Sequence, residues 1–126
     1  MMAPRIKICG LKDPENIQEV VLLQPDFMGF ILYRNSQRYV DVDSVSAVLT
    51  TIPFEIKKVG VLVNETLPKA IELAKSGLFD FLQLHGDEEP GYCSELSHYI
   101  SLIKAFRISS SLPVNLENYI EACDMF

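Results

Sequence analysis

The chain has 126 residues, 48% of them hydrophobic and 22% charged, which is the composition of one folded domain over residues 1–126. Its net charge of -6 argues against a nucleic-acid partner and against adhesion to an anionic membrane. The absence of a signal-peptide pattern or an apolar run of about 20 residues, and three widely spaced cysteines, predict a cytoplasmic protein without a disulfide framework or metal site.

Strand patterns and helix patterns alternate along the whole chain. Strands are predicted at residues 5–9, 27–33, 56–63, 81–85 and 100–106, with a sixth beginning at residue 124. Helix starts are predicted at Asp13-Pro14, at Asp41 or Asp43, at Thr66 and at the acidic cluster Asp87-Glu88-Glu89, with a short helix near residues 116–122. Such alternation predicts a parallel sheet with right-handed crossovers, and the periodicity leaves open whether that sheet forms a barrel.

Polar or reactive side chains lie at or just beyond the carboxyl end of each predicted strand. They are Cys9, Tyr33 and Arg38, Asn64, Gln83 and His85, and Lys104 and Arg107. Parallel strands would bring these groups to one edge of the sheet. Taken singly, Cys9 fits a small buried residue better than a reactive group, and His85 fits a core hydrogen bond. To act as a base, Cys9 would have to be a thiolate, which a nearby Lys7 or Arg107 would favour.

Six segments in this order, spanning nearly the whole chain, resemble the phosphoribosylanthranilate isomerase family. They are Lys7-Ile8-Cys9-Gly10-Leu11, Gly29-Phe30-Ile31-Leu32-Tyr33, Ser36-Gln37-Arg38-Tyr39-Val40, Val59-Gly60-Val61-Leu62-Val63-Asn64, Gln83-Leu84-His85-Gly86-Asp87-Glu88 and Ile103-Lys104-Ala105-Phe106-Arg107. The resemblance implies a (β/α)8 TIM barrel. It also implies the Amadori rearrangement of N-(5-phosphoribosyl)anthranilate in tryptophan biosynthesis, performed without a cofactor or metal.

The resemblance also implies roles for individual residues. Cys9 matches the family's general base, which removes the proton from the sugar C2. Arg38 matches an arginine near the anthranilate moiety of the small-molecule substrate. Gln83 and His85 match residues that line the site on strand 4, and Arg107 matches a site-lining arginine after strand 5.

The chain departs from the family pattern in two places. Gln37 stands where the family usually has proline, which loosens the loop that carries Arg38. The family's general acid is an aspartate at the end of strand 6, and the sequence reaches only Phe126, just before that position. We therefore expect an incomplete barrel of five βα units plus the start of strand 6, inactive by itself and self-associating through its open sheet edges.

Two other interpretations compete with the isomerase. One is a flavodoxin-like binding or signalling domain, which has strand order 2-1-3-4-5 where a part-barrel has 1-2-3-4-5. The other is a non-catalytic half-barrel that serves as an assembly partner. Strand order distinguishes the flavodoxin-like domain from the part-barrel. Complementation with a C-terminal fragment tests the non-catalytic assembly partner.

Overall fold

The computed structural model describes residues 4–106 and 116–126. Its strands are β1 (Lys7–Ile8), β2 (Phe27–Ile31), β3 (Lys57–Leu62), β4 (Phe81–Leu84) and β5 (Ser101–Lys104). Its α-helices are α1 (Pro14–Leu22), α2 (Val42–Leu49), α3 (Leu67–Lys75) and α4 (Pro90–Leu96), followed by a 3₁₀ turn at Leu116–Tyr119. The strands are parallel and lie in the order β1-β2-β3-β4-β5. This order confirms the part-barrel and shows that the flavodoxin-like alternative is wrong.

Each face of the sheet packs into its own apolar cluster. On the outer face, Met28, Phe30 and Leu82 pack against the buried sides of the helices. On the inner face, Phe27, Ile31, Val59 and Val61 form a smaller cluster, and no helical residue contributes to it among the described residues. Alternate side chains of a strand point to opposite faces, so β2 and β3 need apolar residues at nearly every position.

The inner face is concave. Adjacent strands are about 4.8 Å apart, so β1 and β4 would be about 14 Å apart in a flat sheet. Yet the ammonium group of Lys7 on β1 donates directly to Gln83 Oε1 on β4. Arg5, just before β1, reaches Met125 beyond β5, with a guanidinium nitrogen 3.5 Å from the sulfur. The sheet therefore curves as the wall of a barrel does.

The helix starts confirm the predicted caps with one exception. Asp13 caps α1 by accepting from the Glu15 N–H, and Asp41 caps α2 in the same way, which decides between Asp41 and Asp43. Thr66 occupies the cap position of α3, but its side chain makes no capping hydrogen bond. α3 buries Ala70, Leu73 and Ala74, and its Leu67 and Ile71 side chains pack partly buried against the same core.

The observed elements are shorter than predicted at several ends. β1 has two residues rather than five, and the sixth strand is reduced to an isolated bridge between Ile103 and Met125. The predicted helix near residues 116–122 is a single 3₁₀ turn. Over the described part of the chain, no helix has both the length and the apolar character required to cross a membrane.

Candidate active site at the carboxyl ends of the strands

The carboxyl ends of β3, β4 and β5 carry a buried ion pair. We call Asn64, Gly86, Glu88 and Lys104 the β3–β5 rim. The Lys104 ammonium lies 3.1 Å from Glu88 Oε1, and the two side chains are 2% and 1% exposed. It also donates to the backbone carbonyls of Leu84, Gly86 and Ala105. A lysine held by three backbone carbonyls and a carboxylate is fully satisfied within the protein.

Backbone groups complete the shell around Glu88. One carboxylate oxygen accepts from the Gly86 N–H and the other from the Asn64 N–H, each at 2.9 Å. Asn64 adopts a left-handed backbone conformation with φ of 50°, and its side-chain oxygen accepts from the Asp87 N–H at 2.7 Å. These contacts join the loops after β3 and β4 into one unit.

The structure corrects two expectations about this rim. Glu88 was expected to meet the positive end of a helix together with its acidic neighbours. The Glu88 carboxylate is instead buried within the β3–β5 rim, and Glu89 occupies the cap position of α4. Lys104 was expected to point to the top of the sheet, but it shares the register of Leu84 and Leu62 on the outer face. Neither charge is available to a ligand.

The carboxyl ends of β1 and β2 are built differently. We call Cys9, Gly10, Gly29 and Arg38 the β1–β2 rim. Cys9 is half-buried and packs on the inner-face cluster, directly over Gly29. A Cβ atom at position 29 would come within 2.8 Å of the Cys9 sulfur, so only glycine lets the thiol lie there unshifted.

Arg38 lies beside Cys9 on an exposed loop. Its guanidinium donates to the Cys9 carbonyl oxygen at 3.4 Å, and it packs over Gly10, whose φ is +82°. The Arg38 N–H donates to Ser36 Oγ, which holds the loop turn. The charged end of Arg38 therefore lies against the backbone of Cys9 and Gly10 while remaining in solvent.

Gln83 and His85 both follow the inner-face alternation of β4. Gln83 is 8% exposed and accepts from Lys7. His85 is exposed at the strand end, and its backbone N–H donates to the Leu62 carbonyl.

Burial lowers the pKa of Lys7, and the charge of Cys9 acts in the opposite direction. Cys9, Lys7 and Gln83 thus occupy one face of the sheet.

A pocket of about 440 Å³ opens on the inner face of the sheet, and Cys9 is not among its lining residues. Its lining residues include Arg5, Lys7, Phe27, Gln83, Ile103 and Phe126. Two cations and an amide amid apolar side chains make this pocket suitable for a ligand with both anionic and aromatic parts. Among the described residues no cluster of three or more histidine, cysteine or acidic side chains could hold a metal ion.

The remaining candidates are accounted for individually. Arg107 lies outside the described residues. Cys93 and Cys123 are buried. The contact between Lys7 and Gln83 was not predicted. The alternation of β1 and β4 placed both residues on the inner face, but their meeting depends on the curvature of the sheet.

A curved parallel sheet with its helices on one face and polar side chains at its carboxyl ends defines a protein of the TIM-barrel class. The sequence model of the family N-(5'-phosphoribosyl)anthranilate (PRA) isomerase matches residues 6–125. The chain belongs to this family.

Relatives and solved structures agree with this assignment. The N-(5'-phosphoribosyl)anthranilate isomerase of Parabacteroides distasonis is 42% identical over 107 residues, which are 83% of this chain and 48% of that protein. The phosphoribosyl anthranilate isomerase of Thermotoga maritima superimposes with a TM-score of 0.81 at 30% identity, covering 95% of this chain and 56% of that one. A second structure, an isomerase in complex with reduced 1-(o-carboxyphenylamino)-1-deoxyribulose 5-phosphate, has a TM-score of 0.81 and 28% identity, covering 98% of this chain and 66% of that one. The chain spans about half the length of the curated relatives it matches.

Proposed function

We propose that this protein carries the base-bearing part of a phosphoribosylanthranilate isomerase site. The observation that supports this most strongly is the position of Cys9. Its thiol lies over Gly29 at the carboxyl end of β1, and the Arg38 guanidinium donates to its backbone carbonyl. In barrels of this class, ligands bind at the carboxyl ends of the strands.

The proposed reaction converts an aminoaldose to an aminoketose. Once the ribose ring has opened to a Schiff base, the Cys9 thiolate takes the proton from C2, and the electron pair of that bond moves toward the iminium nitrogen. The resulting enol becomes the ketone when C1 takes up a proton and the 2-hydroxyl group loses one. A thiolate in a partly buried site suits this step, because proton abstraction requires a base of matched basicity close to the carbon.

The other predicted site residues would bind the substrate. Arg38, in solvent beside Cys9, can form a forked pair with the anthranilate carboxylate. Gln83 and His85 line the same edge on β4, and Arg107 keeps the role that the resemblance implies. The ligand in the complexed relative combines a carboxyphenylamino group with a sugar phosphate. A small phosphosugar–anthranilate ligand is accordingly the proposed partner of this site.

The test is an activity assay with a supplied second half. The protein is mixed with the C-terminal part of the Parabacteroides distasonis relative that the match leaves uncovered. Conversion of freshly made phosphoribosylanthranilate is then followed by chromatography. We expect turnover that Cys9→Ser lowers at least about 100-fold, as loss of a general base does. A stable complex without turnover, or turnover unchanged by Cys9→Ser, would refute the proposed role and favour the non-catalytic assembly partner.

The same assay tests the expectation that the protein is inactive without a second half. A rate comparable to that of a full-length relative, measured on this protein alone, would contradict that expectation. Wild-type protein and Cys9→Ser are compared at equal concentration so that trace contamination by another isomerase is detected.

We further propose that the protein is cytoplasmic and self-associates along its sheet edges. Among the described residues, β1 pairs only with β2, and Ile6 beside it is 58% exposed. An unpaired strand edge with an apolar neighbour favours pairing with a second copy. Light scattering over a range of concentrations should show a mass that rises toward the dimer. A monodisperse monomer at high concentration would argue against association.

A further inference from the structure

Lys7 is a cation on the inner face, two residues before Cys9 on the same strand. Residues at i and i+2 of a strand lie on the same face, with about 7 Å between their Cβ atoms. Lys7 is half-buried, and its ammonium group donates to Gln83 Oε1. An ammonium has only donors, so this contact turns the amide oxygen of Gln83 toward Lys7 and keeps the ammonium above the sheet.

The charge of Lys7 has no carboxylate partner among the described residues. The ion pairs found there are Lys58 with Asp80 and Lys104 with Glu88. Gln83 holds the Lys7 ammonium without neutralising it, because an amide is uncharged. A positive charge therefore persists on the concave, partly water-excluded face. Opposite charges attract more strongly in such surroundings than in bulk water.

We propose that Lys7 is a positioning residue of the site, whose ammonium group, held by Gln83, stabilises the thiolate of Cys9. The proposal rests on the proposed role of Cys9 as the base. Burial lowers the pKa of Lys7, and the charge of Cys9 acts in the opposite direction. Lys7 acts through Cys9 and takes no proton from the substrate.

Other groups also face Cys9. Arg38 reaches the Cys9 carbonyl from the loop after β2, but it is exposed, so water and salt screen its charge. The Tyr33 side chain joins the same inner-face cluster from the end of β2. The strand that pairs with β1 contributes only Gly29 beneath the thiol. Lys7 is therefore the partly buried cation in the surroundings of Cys9.

The experiment follows alkylation of Cys9 by iodoacetamide as a function of pH. Only the thiolate reacts, and mass spectrometry of the peptide that carries Cys9 separates it from the buried Cys93 and Cys123. In Lys7→Met we expect the pH–rate profile to move up by about one pH unit, with about tenfold slower alkylation near pH 7. Lys7→Arg keeps the charge and should retain most of the wild-type rate.

Lys57→Met is the matched control. Lys57 lies on the same face at the amino end of β3, about 10 Å from β1 by strand spacing, and it is exposed. The substitution removes one positive charge, as Lys7→Met does, and should leave the profile unchanged. If Lys7→Met leaves the profile unchanged, or if Lys57→Met moves it equally, the proposal is overturned.

A second variant covers the case in which Lys7→Met fails to fold. Lys7→Gln keeps a polar side chain and removes the charge, and circular dichroism establishes its folding before alkylation. It should give the same displacement as Lys7→Met. Since alkylation requires no turnover, failure of this proposal and failure of the proposed isomerase activity are observed in separate experiments.

Discussion

The two rims at the carboxyl ends of the strands both carry charged side chains, but these charges are buried in the β3–β5 rim and exposed in the β1–β2 rim. In the β3–β5 rim, Glu88 and Lys104 are buried and every described contact of their charges is made within the protein. In the β1–β2 rim, the Arg38 guanidinium stays in solvent and makes one long hydrogen bond. A charge at the end of a strand is therefore not evidence of a ligand site, because burial decides whether it binds a ligand or stabilises the fold.

The largest expected effect comes from breaking the ion pair of the β3–β5 rim. Lys104→Met leaves the Glu88 carboxylate buried without a cation, so the free energy of unfolding should fall by about 3–5 kcal/mol. Urea denaturation followed by circular dichroism measures this. Lys58→Met breaks the more exposed pair with Asp80 and should cost less than about 1 kcal/mol. Equal losses in the two variants would show that the rim pair has no special role.

The double variant Glu88→Leu/Lys104→Met sharpens the same comparison. Replacing both charges by apolar groups removes the unpaired carboxylate, so it should recover part of the stability lost by Lys104→Met. The Gly86 and Asn64 N–H groups would then lose their acceptor, which limits the recovery. A double variant less stable than Lys104→Met would mean that those backbone bonds outweigh the ion pair.

Next in size is the close packing at Cys9. Gly29→Ala places a Cβ within 2.8 Å of the Cys9 sulfur, and the strain should lower the free energy of unfolding by about 1–3 kcal/mol. Gly91→Ala in α4 is the control, because an added Cβ there meets no atom within 4 Å. It should be neutral or stabilise by up to about 1 kcal/mol. Thermal unfolding of both variants checks this prediction, which fails if Gly29→Ala is as stable as wild type.

A smaller effect is expected at Tyr92, whose hydroxyl donates to the Glu65 carbonyl at 2.8 Å. Tyr92→Phe should cost about 1 kcal/mol at neutral pH. Burial, followed by the charges of Glu88 and Glu65, raises the pKa of Tyr92 from the ordinary value of 10.0. Above about pH 10 the unfolded chain loses this proton and the folded chain keeps it, so wild-type stability falls as pH rises.

Urea denaturation at pH 8 and at pH 10.5 tests that dependence. Tyr92→Phe should lose less stability between the two values than wild type does. Tyr99→Phe changes an exposed tyrosine and serves as the control, with the wild-type pH dependence expected. The interpretation fails if Tyr92→Phe and wild type lose the same amount.

The smallest effect on stability is expected at Arg38. Arg38→Gln should change the free energy of unfolding by less than about 0.5 kcal/mol, because the side chain is exposed. In the reconstituted assay, however, it should raise KM at least about tenfold if the guanidinium binds the carboxylate of the substrate. A large loss of stability would place Arg38 with the structural charges of the other rim.

The order of the elements could be predicted from the sequence because it depends on local patterns. Continuous apolar runs predicted β2 and β3, and Asp13-Pro14 predicted the start of α1. The faces of Cys9 and Gln83 follow from simple alternation along a strand. These features require no knowledge of the rest of the fold.

The features that failed depend on contacts distant in sequence. Nothing in the run Asp87-Glu88-Glu89 shows that only the middle carboxylate is buried, since its partner Lys104 lies on the next strand. The contact between Lys7 and Gln83 likewise depends on twist accumulated over four strands. The face on which a side chain lies could thus be predicted strand by strand, whereas the division of the carboxyl ends into a buried and an exposed rim could not.

The strand order also has a consequence for how the chain folds. Each strand pairs with the strand that follows it in sequence, so the sheet can grow one βα unit at a time. The contact from Lys7 to Gln83 joins residues 76 positions apart and requires β4 to be in place. We therefore expect the surroundings of Cys9 to be completed only once β4 has joined the sheet, and the rate of Cys9 alkylation in pulses during refolding should reach its native value only at that stage.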